Sequence, residues 1–234
     1  MIKEILYLVL AVAIGGVMAM VLRRTKAFSI KVLLTFSGAY LLGIGVFHLL
    51  PEVYEEHSHH YGAVIMLGFF VQLILEAFSK GLEHGHSHTE LFANKGLPFG
   101  VLLSLFLHAF LESIAIGGSH NHLSRDALLW GLLVHKIPVT IILYNMLCEF
   151  TKKLPIVLFW LLLFALMAPL GVLVGSYIPI LGDYSRELTA FVFGIFLHIS
   201  TTILFEGNQS HGFNVMKYGI ILAALGLAWL SVSH

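Results

Sequence analysis

The sequence predicts an all-α membrane protein with eight transmembrane helices, and two observations support this prediction. The chain of 234 residues is 58% hydrophobic and only 11% charged, whereas a soluble domain has about 25% charged residues. Eight stretches approach the roughly 20 apolar residues that cross a bilayer: Ile5–Leu22, Val32–Pro51, Tyr61–Ser79, Leu97–Ser119, Ala127–Cys148, Pro155–Ile178, Leu188–Phe205 and Phe213–Val232. Because the connections between them are short, residues 1–234 are expected to form a single transmembrane domain.

The rest of the composition excludes several classes of function. Thirteen Lys and Arg balance thirteen Asp and Glu, so there is no basic field that would attract nucleic acid. The single cysteine, Cys148, excludes a disulfide framework and a Cys-rich zinc site. The sequence has no glycine-rich nucleotide-binding loop, so ATP hydrolysis is not expected. The unusual feature is the 14 histidines, which outnumber either charged class.

The first span, Ile5–Leu22, is predicted to be a helix rather than a cleaved signal peptide, because it is too long and lacks a small-residue cleavage site.

The distribution of Lys and Arg between the loops predicts the direction in which the chain crosses the membrane. Nine of them follow spans 1, 3, 5 and 7, three lie on the opposite side, and Lys136 falls inside a span. Both termini are therefore expected outside the cytoplasm, in a plasma or inner membrane.

Spans 2 and 7 end in a similar way, with His48-Leu-Leu-Pro-Glu52 and Thr202-Ile-Leu-Phe-Glu206. Since the two spans run in opposite directions, these ends lie on opposite membrane faces. This arrangement predicts an inverted repeat, in which spans 1–3 correspond to spans 6–8 around the central pair of spans 4 and 5. His48 and Glu52 are expected to share one face at the outer mouth, with Glu206 at the inner mouth, where carboxylates would attract cations.

Spans 4 and 5 carry ionisable side chains near their middle. Such groups cost at least about 2.5 kcal/mol each in a bilayer, so they usually face a cavity and mark a pathway. His108 and Glu112 share one helix face because they are four residues apart, and His135 and Lys136 lie near the same depth in the next span. Two imidazoles and a carboxylate form a ligand set that zinc and its first-row neighbours accept. The alternative is that these groups only hydrogen-bond between helices and fix their packing.

Other polar residues divide by depth. Glu76 precedes Lys80 by four residues, and a surface ion pair is the favoured interpretation. His198 lies in the middle of span 7 and is expected to line the pathway or to add a ligand. Short His-rich tracts are typical of loose metal binding, and the loops contain such tracts with His57, His59 and His60 outside and His84, His86 and His88 inside. Metal capture is favoured over an ordinary solvated loop, although transport itself should not require these tracts.

At these residues the sequence resembles the ZIP family of divalent-metal transporters. The resemblance covers essentially the whole chain, including eight spans, outward termini and a His-rich loop between spans 3 and 4. The motifs that carry it are Gly45-Val-Phe-His-Leu-Leu-Pro-Glu52, His108-Ala-Phe-Leu-Glu112-Ser-Ile-Ala-Ile-Gly117 and His135-Lys136-Ile-Pro138.

The resemblance implies transport of Zn²⁺, or of Fe²⁺, Mn²⁺ or Cd²⁺, toward the cytoplasm, with His108, Glu112 and His135 as metal ligands. Four positions depart from the family pattern. Ala109 and Ser113 replace residues usual in the span-4 motif, and Lys136 and Val139 stand where many members have further ligands. We therefore expect a single-metal centre in which the Lys136 ammonium takes the electrostatic place of a second ion. Ligand histidines must be neutral, so metal affinity should fall on acidification.

Two other functions fit parts of the sequence. An intramembrane zinc-dependent hydrolase would use the same three ligands to activate water, but it would need a separate base or a serine nucleophile, and the sequence has no HExxH motif. A metal sensor or store would need a soluble output domain or many more acidic ligands. Transport is therefore the favoured function, with divalent metal ions and the lipid bilayer as partners, and a homodimer is compatible with the sequence.

Overall fold

A computed structural model of the chain describes residues 1–22, 30–55, 59–82, 98–119, 121–206 and 215–231. All regular structure in these residues is helical, as predicted. The main helices are α1 (Ile2–Leu22), α2 (Ile30–Val53), α3 (His60–Ser79), α4 (Phe99–Gly118), α5 (His122–Phe150), α6 (Leu154–Tyr177), α7 (Ser185–Glu206) and α8 (Val215–Ser231). A short helix, Pro179–Asp183, connects α6 to α7.

Seven of these helices, α1 to α7, are long and apolar enough to cross a bilayer, which makes the chain an integral membrane protein. The eighth, α8, is apolar but has only 17 residues within the described part of the chain. At 1.5 Å per residue it spans about 26 Å, slightly less than the roughly 30 Å of a hydrocarbon core. Seven of the eight predicted spans are therefore confirmed, and the eighth stays a prediction.

The helices pack as two groups of four. In the first group, α4 packs against α6, and α1 packs against both α5 and α6. In the second group, α3 packs against α7, and α2 packs against both α7 and α8. The two groups meet mainly where α2 contacts α5, α3 contacts α4, and α4 contacts α7. The central helices α4 and α5 thus lie at the boundary between the groups.

Glycines allow the closest helix pairs to approach each other. A Cβ atom at Gly175 of α6 would collide with the carbonyl oxygen of Ile114 on α4. In the second group, a Cβ atom at Gly194 of α7 would collide with the carbonyl oxygen of Ile65 on α3. Because lipid is as apolar as a leucine side chain, membrane helices associate through such backbone contacts at small residues.

Polar and apolar surfaces are distributed as a membrane location requires. Large apolar side chains such as Leu10, Phe78 and Phe159 are exposed on the outside of the helix bundle. Inside it, ionisable side chains on α4 and α5 are almost fully buried. The buried ionisable side chains of α4 and α5 are therefore located at the centre of the protein.

The outer part of α2 departs from regular α-helix, because Gly45–Leu49 forms a π-helical turn. Its hydrogen bonds reach five residues back instead of four. His48 Nε2 lies 2.9 Å from the carbonyl oxygen of Ala228 on α8, whereas the Glu52 carboxylate accepts a hydrogen bond from Ser124 of α5. The two side chains thus have partners on different helices, and their shared face at the outer mouth stays a prediction.

Candidate metal centre

The pair predicted on the fourth span lies in the middle of α4. His108 Nε2 is 3.1 Å from Glu112 Oε2, and the two side chains are 2% and 1% exposed. One turn of regular α-helix brings residues i and i+4 to the same face, and this part of α4 is regular. The predicted shared face is therefore confirmed, and it points into the protein.

Lys136 of α5 contacts the other oxygen of the same carboxylate. Its Nζ donates a hydrogen bond of 2.6 Å to Glu112 Oε1, and Nζ also lies 5.7 Å from the centroid of the Phe164 ring on α6. A buried ammonium is tolerated when it is paired and hydrogen-bonded in this way. Lys136 is thus paired with Glu112, and its expected place as the substitute for a second metal ion stays a prediction.

The third predicted ligand, His135, is buried on α5 next to His108. The two rings meet edge to face, with their centroids 6.0 Å apart and an interplanar angle of 86°. The structure therefore brings His108, Glu112 and His135 into one place. Within the described ranges, however, no three His, Cys, Asp or Glu side chains are arranged as they would be around a metal ion.

Gln72 of α3 is a member of this cluster that the sequence analysis missed. Its side chain is completely buried, and its Oε1 atom lies 3.0 Å from His108 Nδ1. The signal in the sequence was a lone amide inside the apolar run of α3, since a buried amide needs a hydrogen-bond partner. The partner itself could not be predicted, because it lies on another helix.

Glu76 and His198 form a second, partly buried contact, between α3 and α7. His198 Nε2 lies against Glu76 Oε2, and the Phe69 ring packs edge to face on the imidazole at 4.8 Å between centroids. The favoured partner of Glu76 in the sequence was Lys80, but Lys80 instead ends α3 in a left-handed conformation, with φ of 55°. His198 thus faces the interior of the protein, at the side chain of Glu76.

These contacts form a line of buried polar side chains. It runs from Glu112 through His108 to Gln72, and Glu76 lies one helical turn further along α3. His198 is at the end of this line. The line therefore extends from the centre toward the C-terminal end of α3.

The residues predicted at the outer and inner mouths of the pathway, His48, Glu52 and Glu206, have different surroundings. Glu52 is half-buried against the first turn of α5, where it contacts Ser124. His48, in contrast, contacts the backbone of α8 at Ala228. Glu206 is the last residue of α7, and the position of its side chain lies outside what the structure describes.

Only part of the predicted loop tracts can be placed. His59 and His60 are exposed at the start of α3, and His60 Nε2 lies 3.2 Å from Glu187 Oε1 at the start of α7. The remaining loop histidines lie outside the described residues: His57, His84, His86 and His88. Their proposed role in metal capture stays a prediction.

A family model described as "ZIP Zinc transporter" matches residues 80–233. The matched range runs from the end of α3 through α8 and includes every central residue of α4 and α5 described above. The comparison with curated proteins gave no match.

Proposed function

This chain belongs to the ZIP zinc transporter family, and on this basis we propose a pathway for the metal ion through the protein. Members of this family move divalent metal ions across membranes, so the chain is a transporter and not an enzyme. The metal ion is its substrate. The cargo that we propose is Zn²⁺, which would move toward the cytoplasm through one centre formed by His108, Glu112 and His135.

The observation that carries this proposal is the burial of two imidazoles and one carboxylate together on α4 and α5. Each of the three side chains is at most 2% exposed. Burial of such groups away from water is unfavourable, and inside a membrane it usually marks an ion pathway. Two nitrogen ligands and one oxygen ligand suit Zn²⁺, and a fourth position stays open for water.

Lys136 supports a centre for a single metal ion. Its ammonium group occupies one oxygen of Glu112, so a Zn²⁺ ion that uses both carboxylate oxygens must displace it. The Phe164 ring, 5.7 Å from Nζ, offers the displaced ammonium a cation–π contact. The ammonium stays beside the centre and repels a second divalent ion.

The route to and from this centre follows the polar residues. Glu52, at the outer end of α2, would attract the incoming ion. On the cytoplasmic side, the ion would pass Glu76 and His198 and leave near Glu206. The loop that contains His84, His86 and His88 would receive it there. Both termini of the chain would lie outside the cytoplasm.

The packing of the helices supports an inverted repeat with α8 as the eighth span. The repeat would exchange α1 with α6, α2 with α7, α3 with α8, and α4 with α5. Under this exchange the α1–α5 contact becomes α6–α4. The α3–α7 contact becomes α8–α2, and α2–α5 becomes α7–α4. All of these contacts are present, although α3–α4 has no comparable counterpart among the described residues. Spans one and six differ by an odd number of crossings, so the two repeats would run in opposite directions.

Each group of four helices is converted into itself by this exchange. A repeat of this kind supports alternating access, in which one group moves against the other around a central site. The first group, α1, α4, α5 and α6, carries the three proposed ligands, so these would move together with the bound ion.

Uptake of Zn²⁺ into proteoliposomes, followed with a zinc-sensitive dye inside the vesicles, tests the proposal. His108→Ala and Glu112→Ala should each abolish uptake because they remove a ligand. His122→Ala is the matched control, since His122 is an exposed histidine at the start of α5, and its uptake should equal that of the unmodified protein. Full uptake by either of the two central variants would refute the site.

A further inference from the structure

We propose that Gln72 is the positioning residue for His108. Its amide oxygen accepts a hydrogen bond from Nδ1–H of the imidazole and thereby turns Nε2 toward the metal. This inference rests on the proposed function, because it assumes that His108 binds the metal ion.

The geometry at Nδ1 determines which ring nitrogen can bind the metal. Oε1 of Gln72 lies 3.0 Å from His108 Nδ1, and an amide oxygen can only accept a hydrogen bond. Nδ1 therefore carries the hydrogen. In neutral imidazole the other nitrogen, Nε2, then keeps its lone pair, and it lies 3.1 Å from Glu112 Oε2. Because this lone pair and the carboxylate oxygen would repel each other, the place between them suits a cation such as the shared metal ion.

The contact matches a general requirement of metal-binding histidines. Such histidines almost always donate their second N–H to a carboxylate or a carbonyl group, which fixes the tautomer, holds the ring in place and raises its basicity. Loss of that partner typically lowers metal affinity or activity 10- to 100-fold. Gln72 is fully buried and His108 is 2% exposed, so bulk water has little access to take over the role.

The same two helices provide a control contact. Ser104 of α4 donates a hydrogen bond of 2.5 Å to the carbonyl oxygen of Leu75 on α3. It therefore joins α4 to α3 one turn away from His108, without contact to the imidazole. A variant at Ser104 loosens the packing between the helices but leaves the orientation of the ring intact.

Three variants of the full-length protein separate positioning from packing. Gln72→Met keeps the length of the side chain and removes the acceptor, so the affinity for Zn²⁺ should fall about 10- to 100-fold. Gln72→Glu keeps an acceptor for Nδ1–H and should retain most of the affinity. Ser104→Ala should leave it unchanged. The affinity is measured in detergent by competition with a chromophoric zinc chelator, after size-exclusion chromatography has shown that each variant is folded and monodisperse.

A second measurement observes the tautomer directly. In protein labelled with ¹⁵N-histidine, the signals of the His108 ring are those absent from the spectrum of His108→Ala. Before zinc is added, Nδ1 should carry the hydrogen in the unmodified protein and in Ser104→Ala, and Gln72→Met should lose this preference. This readout would not change if Gln72 were only a packing residue.

Three results would overturn the proposal. One is a hydrogen on Nε2 with none on Nδ1, which would mean that Gln72 donates its NH₂ group to the ring. Another is an unchanged zinc affinity in Gln72→Met, and the third is an equal loss in Gln72→Met and Ser104→Ala. Failure of the proposed function is a separate result, because it would appear as normal transport by His108→Ala whatever the tautomer.

Discussion

The Nζ atom of Lys136 donates a hydrogen bond to Oε1 of Glu112 over 2.6 Å, and the two side chains are 2% and 1% exposed. Two opposite charges are thus buried together in the middle of the protein. Within the proposed centre, the negative charge belongs to the metal ligand Glu112. The positive charge belongs to Lys136, which competes with the metal ion for the Glu112 carboxylate. This single contact therefore links the stability of the protein to its affinity for the substrate.

Lys136→Met should make the protein less stable and more responsive to zinc. Removal of one partner of a buried ion pair typically costs about 3–5 kcal/mol, because the remaining charge loses its partner. Zn²⁺ would then bind Glu112 without displacing an ammonium, so the zinc-induced rise in melting temperature should exceed that of the unmodified protein. Thermal unfolding with and without Zn²⁺ measures both effects. Lys153→Met, at an exposed lysine, should show neither, and an equal zinc response in Lys136→Met would contradict the competition.

Lys136→Glu should convert the centre to bind a second metal ion. The substitution replaces the repelling ammonium with a carboxylate next to Glu112, and two acidic oxygens that share a site favour an additional divalent cation. The ratio of zinc to protein, measured by elemental analysis after equilibrium dialysis, should rise from one to two. Lys136→Gln is the control, because it removes the positive charge without adding a ligand. If the ratio and the affinity of Lys136→Glu stay unchanged, the single-metal account is wrong.

Glu76→Gln should slow zinc transport without weakening the central site. Glu76 lies one turn beyond Gln72 on α3 and contacts His198, so it would act on the ion only after the ion leaves the centre. The maximal uptake rate should fall several-fold, since the carboxylate that faces the departing cation is lost. The equilibrium affinity measured in detergent should remain within about twofold of the unmodified value, less than the roughly tenfold loss of a weakened ligand sphere. A fall in affinity as large as that of His108→Ala would place Glu76 within the central site itself.

Gly175→Ala should destabilise the first group of helices. The added Cβ atom would meet the carbonyl oxygen of Ile114, and overpacking of this kind costs about 1–3 kcal/mol. Gly100→Ala on α4 is the matched control, because a Cβ atom there meets nothing within 4 Å. That change should be neutral or stabilise the helix by up to about 1 kcal/mol. The melting temperature should fall for Gly175→Ala and stay the same or rise for Gly100→Ala. An unchanged value for Gly175→Ala would show that α4 and α6 can separate at little cost.

The sequence predicted the features that depend on local periodicity. The positions of α1 to α7 follow from runs of apolar residues, and the shared face of His108 and Glu112 follows from their spacing within one regular helix. The π turn at Gly45–Leu49, in contrast, interrupts the regular α-helix of α2 and was not predicted. Nothing in the local sequence distinguishes that turn from regular α-helix.

Contacts between distant parts of the chain could not be predicted in this way. Gln72 and His108 are 36 residues apart, and Glu76 and His198 are 122 residues apart. Each pair depends on how the helices rotate about their axes when they pack, which glycines such as Gly194 control through backbone contacts. A neutral amide such as Gln72 is neither an ionisable group nor a usual zinc ligand, so its residue type alone did not mark it as part of the site.

The hydrogen bond between Gln72 and His108 crosses the boundary between the two groups of helices. If the groups move relative to each other, the strength of this bond changes, and with it the affinity of the imidazole for zinc. Thermodynamic linkage is reciprocal, so zinc binding must shift the equilibrium between positions of the groups by the same factor. A hydrogen bond with a net contribution of about 0.5–1.5 kcal/mol corresponds to a coupling of roughly two- to tenfold. One amide on α3 would thereby let the protein respond, through its own conformation, to whether the substrate is bound.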